Sequence, residues 1–128
     1  MYDLIEKIRN KTVTVAVLGL GYVGLPLAHA FWRAGIRVTG FDIASDKVKK
    51  LNKGMSYISS IASATIGNMV RSDNFKATSD FDALADIDAI LICVPTPLGP
   101  TREPDLAPVV TATETIARHF KKGSLVVL

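Results

Sequence analysis

The stretch that decides the fold is Val13-Thr14-Val15-Ala16-Val17-Leu18-Gly19-Leu20-Gly21-Tyr22-Val23-Gly24-Leu25-Pro26-Leu27-Ala28. It opens with β-branched residues and reads as a buried strand from Val13 to Leu18. A G-x-G-x-x-G loop follows at once, and the pattern then turns helical from Tyr22 to Ala34, closing at Gly35. Glycines alone are weak evidence, because turns are full of them. Placed between a strand and a helix, they acquire separate tasks. Gly19 permits the tight turn, Gly21 lets backbone approach a pyrophosphate, and Gly24 lets the helix lie close on the strand. The first helical turn then offers free N–H groups and a positive dipole end to phosphate. Ala28, small and one turn further on, suits the same close packing.

Outward from the loop, strands and helices alternate. Met1 to Asn10 reads as a short amphipathic helix and Arg37 to Phe41 as a second strand. A helix capped by Ser45 runs to about Asn52, and Gly54 ends it. Ile58, Ile61, Ile66 and Val70 suggest a further helical piece between Met55 and Asn74, broken near Gly67. Phe75 to Thr78 is a short strand, Phe81 to Ala85 a helical turn, and Asp88 to Val94 an apolar strand. Pro95 to Pro104 is a proline-rich loop, Leu106 to Phe120 a helix, and Ser124 to Leu128 a fifth strand. Near-continuous apolar strands imply burial on both faces. The fold class is therefore α/β, a Rossmann doubly wound parallel sheet. One domain spans residues 1–128, and the apolar run at Leu125-Val126-Val127-Leu128 reads as a longer protein truncated after the fifth strand.

Asp42 stands at the end of the second strand, at the spacing of the acid that takes an adenosine ribose. A carboxylate there repels a 2′-phosphate, so NAD is favoured over NADP. Flavin-binding domains usually carry Glu at this position, and methyltransferases have a looser glycine pattern. A short-chain dehydrogenase needs Tyr-x-x-x-Lys, and no tyrosine here has lysine four residues on.

Composition excludes other classes. With 48% hydrophobic and 21% charged residues, the chain can build a core. The net charge of +3 is mild, and the densest basic cluster, Lys47, Lys49, Lys50 and Lys53, has the spacing of a solvated helix face. Aromatic residues are too few for a stacking platform, so no nucleic-acid partner is expected. Thr12 to Trp32 carries no formal charge, yet its three glycines and Pro26 argue against a membrane span. The first eleven residues lack the apolar core of a signal peptide, which points to a cytoplasmic protein. The single cysteine, Cys93, can form neither an internal disulfide nor a zinc site, and no metal is expected. In the run Ala89 to Val94 it reads as a small buried side chain. His29 and His119 fall on helices as surface or packing residues.

Three motifs in order carry a resemblance across essentially the whole chain. Gly19-Leu20-Gly21-Tyr22-Val23-Gly24-Leu25-Pro26-Leu27-Ala28, then Gly40-Phe41-Asp42, then Val94-Pro95-Thr96-Pro97-Leu98 resemble the N-terminal domain of nucleotide-sugar 6-dehydrogenases, the UDP-glucose/GDP-mannose dehydrogenase family. Ser56-Tyr57-Ile58, with Thr96-Pro97-Leu98 and Arg102-Glu103-Pro104-Asp105-Leu106, is most similar to its UDP-N-acetylglucosamine 6-dehydrogenase branch. The UDP-N-acetylmannosamine and UDP-glucose enzymes are the alternatives. The resemblance implies oxidation of a UDP-sugar C6 alcohol to a carboxylate with two NAD per turnover, through an aldehyde-level species held on a cysteine.

Carried over by residue, the resemblance implies a cofactor site of Gly19, Leu20, Gly21, Tyr22, Val23, Gly24, Asp42, Ile43, Lys47, Val94, Pro95 and Thr96. Lys47 lies near the adenosine ribose, and Thr96 lies near the cofactor. Arg102 is a candidate contact to the sugar or a partner domain, whereas Asp105 reads as the cap of the next helix. The catalytic cysteine, lysine and acids are expected beyond residue 128. The whole protein is expected to be a homodimer through a central helical domain, and this chain alone to be inactive. A competing class is a stand-alone, NAD-responsive regulatory module, which would use the same loop without chemistry. A scaffold with a degenerate site fits less well, since no loop glycine is missing.

Overall fold

The structure is a computed structural model and describes residues 2–128. A short helix α1 (Tyr2–Arg9) leads into β1 (Thr14–Leu18), α2 (Gly24–Arg33) and β2 (Arg37–Phe41). Then come α3 (Ser45–Asn52), α4 (Ser63–Arg71) and β3 (Phe75–Thr78). A 3-10 helix (Phe81–Asp86), β4 (Ala89–Ile92), α5 (Ala107–His119) and β5 (Leu125–Val127) complete the chain. Met1, part of the helix expected at the N-terminus, lies outside the described residues.

All four strand pairings are parallel, and the sheet order is β3-β2-β1-β4-β5. The alternation within β1 explains why helices cover both faces. Val15 and Val17 pack on one side with Leu25 and Ala28 of α2, Leu51 of α3 and Met69 of α4. Ala16 and Leu18 pack on the other with Leu84 of the 3-10 helix and Ala112 and Ile116 of α5. Strand order reverses between β1 and β4, and ligands of open α/β sheets bind at the carboxyl ends of strands flanking such a reversal.

The uncharged stretch from Thr12 to Trp32 is thus a strand, a loop and a helix. No helix among the described residues is long and apolar enough to cross a membrane. Pro26 sits in the first turn of α2, where its missing N–H removes no helical bond. Gly35, at φ +81°, closes that helix, its N–H donating to the Trp32 carbonyl.

Four expectations are corrected. Gly67 does not break a helix: α4 runs through it, and the Gly54 turn packs against it because Gly54 lacks a side chain, a Cβ on Gly54 falling 3.2 Å from the Gly67 Cα. Ile58 and Ile61 enter the core from the loop before α4 rather than from a helical turn. Ser45 does not cap α3. The cap position is Ala44, whose N–H donates to Asp42 Oδ1 at 2.9 Å. Burial on both faces fails at β5, the edge strand beside β4, where Leu125, Val126 and Val127 remain 38–43% exposed.

Candidate functional site

The glycine loop is shaped by close approach of backbone to backbone. Gly19 has φ +94°, and its N–H donates to the Phe41 carbonyl at 2.8 Å. A Cβ there would lie 2.6 Å from the Cys93 carbonyl oxygen, so both conformation and space demand glycine. Gly24 is tighter still. Its Cβ would fall 1.6 Å from the Gly19 carbonyl oxygen, which only glycine permits at the start of α2. Gly21 is different: a Cβ there would meet nothing within 4 Å. The middle glycine therefore borders open space, next to the first-turn N–H groups that a helix leaves without internal partners.

Asp42 is held rigidly beside this loop. Its Oδ2 accepts from the Leu20 N–H and its Oδ1 from the Ala44 N–H, both at 2.9 Å. Its own N–H donates to the Thr78 carbonyl at 3.2 Å. Each carboxylate oxygen carries a second lone pair, which leaves acceptor capacity for a ligand hydroxyl. Lys47, one turn into α3, places its Nζ 5.6 Å from the centre of the Tyr57 ring. The Tyr57 hydroxyl donates to the Leu20 carbonyl. Burial, and then the charges of Asp42 and Asp46, push the Tyr57 phenol well above its usual range, so it stays a donor.

The loop, Asp42 and Lys47 line one cleft of about 1200 Å³ that crosses the carboxyl end of the sheet at the reversal of strand order. Gly19, Leu20, Gly21, Tyr22, Val23, Asp42, Ile43 and Lys47 form its near wall, and Val94, Pro95 and Thr96 enter after β4. Gly24 lies buried beneath the loop rather than on the cleft surface. Tyr22, Val23 and Ile43 are 83%, 69% and 86% exposed, an unusual display of apolar surface around a polar centre. Cys93 is half-buried under the loop, and burial pushes its thiol up, away from the thiolate a nucleophile needs.

The far wall was not anticipated. Phe81 and Asp82 of the 3-10 helix face Thr111, Thr115, Arg118 and His119 of α5. His119, expected on the surface or in helix packing, sets its Nε2 3.5 Å from Asp82 Oδ1. One signal was available, since Thr111, Thr115 and Arg118 recur at helical spacing and make a polar stripe on α5. His29 is elsewhere, stacked on Trp32 at 6.0 Å, with its imidazole pushed down by burial and then by Arg33.

Besides Gly24, Arg102 is an expected site residue that the cleft does not include. It sits exposed at φ +62°, in a loop closed by the Leu98–Pro104 bridge. Asp105 is not the cap residue of α5, which is Leu106, although its Oδ1 accepts from the Ala107 N–H at 3.0 Å and so steadies the start of the helix. Among the described residues, no group of three or more His, Cys, Asp or Glu is placed to hold a metal ion.

The arrangement fits an extended, anionic dinucleotide. An open glycine and a helix start could take phosphate, a pinned carboxylate could take ribose hydroxyls, and exposed apolar residues flank both. Comparison with known proteins agrees. Residues 13–128 match the profile of the UDP-glucose/GDP-mannose dehydrogenase family, NAD binding domain. The chain is 36% identical to the UDP-N-acetyl-D-glucosamine 6-dehydrogenase of Pseudomonas aeruginosa, over 91% of its own length and 27% of that protein's. It is 40% identical to the UDP-N-acetyl-D-mannosamine dehydrogenase of Campylobacter jejuni, over 93% and 29%. The solved structure of the UDP-D-ManNAc dehydrogenase from Pyrococcus horikoshii superposes with a TM-score of 0.83 at 36% identity, covering 89% of this chain and 27% of that one. The chain thus spans a little over a quarter of the relatives it matches.

Proposed function

We propose a function from one premise: this chain belongs to the UDP-glucose/GDP-mannose dehydrogenase family and is an NAD-binding domain of it. The pyrophosphate of NAD lies along Gly19 to Gly24 at the start of α2. The adenosine ribose lies on Asp42, with Ile43 and Lys47 beside it, and Val94, Pro95 and Thr96 border the rest of the cofactor. The observation that carries this reading is the pairing of Gly21, whose side is open, with a carboxylate pinned next to it. That carboxylate disfavours a 2′-phosphate by charge repulsion, which selects NAD over NADP.

In the whole protein, the domain serves a nucleotide-sugar 6-dehydrogenase. The C6 alcohol of a UDP-sugar and water become a carboxylate, with two hydrides and three protons released. NAD supplies the hydride acceptor, two molecules per sugar. This chain's own residues bind and orient the cofactor. The groups that work on the sugar lie beyond residue 128, which accords with the half-buried, protonated thiol of Cys93. UDP-N-acetylglucosamine is the proposed sugar, supported by the likeness of Ser56-Tyr57-Ile58 and Arg102 to Leu106 to that branch.

Calorimetry on this chain tests cofactor choice. NAD is expected to bind about tenfold or more tightly than NADP, and equal affinity would remove the ribose role of Asp42. Assay of the longer protein with UDP-N-acetylglucosamine, UDP-N-acetylmannosamine and UDP-glucose tests the sugar. The first is expected to show the highest kcat/KM. Absence of turnover on all three would favour the regulatory module.

A further inference from the structure

We propose that Tyr57 is a positioning residue for the cofactor loop, aiming the Gly21 N–H by holding the Leu20 carbonyl and seating the Lys47 ammonium over its ring. The proposal rests on the NAD-binding reading and adds to it a residue from the loop between α3 and α4, outside the glycine motif and its acid.

Leu20 is fixed at three points. Its side chain is fully buried and pressed under β2, where a Cβ on Gly40 would meet both Leu20 methyl groups at 2.8 Å. Its N–H donates to Asp42 Oδ2, and its carbonyl accepts from the Tyr57 hydroxyl. The Leu20 carbonyl and the Gly21 N–H belong to one planar trans peptide unit, so they point in opposite directions. No cis bond interrupts this. Whatever holds that carbonyl therefore sets the direction of the Gly21 N–H. Gly21 is also the loop residue whose side is free of neighbours within 4 Å. Tyr57 thus controls a donor at the point where a phosphate would come closest.

The phenol suits the task. A carbonyl can only accept, so the hydroxyl must stay protonated, and burial together with Asp42 and Asp46 keeps it so. The same ring faces Lys47 Nζ at 5.6 Å. One side chain thereby links the phosphate end of the site to its ribose end.

Tyr57→Phe keeps the ring and deletes the hydroxyl. Binding of ADP-ribose and of NAD is expected to weaken by about three- to tenfold, the value of one hydrogen bond. Adenosine, which lacks the pyrophosphate, is expected to change by less than about twofold. A merely structural role would weaken all three alike, and that result would overturn the proposal, as would unchanged ADP-ribose binding. Failure of the unmutated protein to bind ADP-ribose and NAD at all would instead remove the NAD reading beneath it. If Tyr57→Phe does not fold, proton NMR of the unmutated protein decides. The Tyr57 hydroxyl proton should exchange slowly enough to be seen in water, and a freely exchanging hydroxyl would overturn the proposal.

Discussion

Two aspartates at opposite ends of the sheet show how one side chain serves different ends. Asp42 follows β2 at the carboxyl edge and is half-buried, with its oxygens on the N–H groups of Leu20 and Ala44. It faces a cleft. Asp88 precedes β4 at the amino edge and is only 7% exposed. Its Oδ1 accepts from Lys7 at 2.9 Å and Lys121 at 3.3 Å, and its Oδ2 from the Thr14 N–H at 3.0 Å and the Thr14 hydroxyl at 3.1 Å. Burial alone would push the Asp88 carboxyl up. The Thr14 N–H, the two ammonium groups and the Thr14 hydroxyl outweigh it and hold it at about 2. Asp88 thus ties α1, β1 and the turn after α5 together, with its acceptors used within the fold. Asp42 orders a loop and keeps capacity for a ligand. The lesson is that the two carboxylates are distinguished by which partners are internal, more than by burial.

Of the two ends, the cofactor loop is the more sensitive to substitution. Gly24→Ala forces a methyl group into the Gly19 carbonyl. It is expected to destabilise the domain by about 3 kcal/mol or more and to abolish measurable NAD binding, as read by urea denaturation and calorimetry. Next comes Asp88→Asn, expected to lower stability by about 2 kcal/mol while leaving NAD affinity within about twofold. A loss of NAD binding there would mean that the two ends are coupled.

The folded Asp88 value of about 2 lies below the ordinary 3.8, so its contribution is complete above about pH 4. It disappears as the pH falls from there through about 2. The unmutated protein should lose about 2 kcal/mol more than Asp88→Asn over that interval, measured by denaturation at each pH. The smallest stability effect is expected at Asp42→Ala, about 1 kcal/mol, accompanied by about a tenfold loss of NAD affinity. A variant that loses stability but binds NAD normally would make Asp42 a second staple and erase the contrast.

Much of the fold was legible because its signals are local. Alternation in β1 specifies two covered faces, and the glycine spacing specifies a strand, a turn and a helix whatever surrounds them. Gly24 illustrates the point, since the oxygen it must avoid belongs to Gly19, five residues earlier. Asp42 was legible by its distance along the chain from the loop. Likeness singles out both Lys47 and Tyr57, but not that the one sits over the other's ring. The continuity of α4 through Gly67 is not legible, because the contact made there comes from the distant Gly54 turn, which sequence periodicity does not report.

By itself, then, the sequence determined the doubly wound sheet, the glycine loop and the acid beside it, because short-range geometry leaves few alternatives at those positions. Only the tertiary structure decided that Tyr57 holds Leu20 across 37 residues, that Lys7 meets Asp88 across 81, and that α5 walls the cleft. Such contacts depend on how separate elements come to rest against each other. A tyrosine, a lysine or a threonine stripe has no spacing in the chain that encodes its partner.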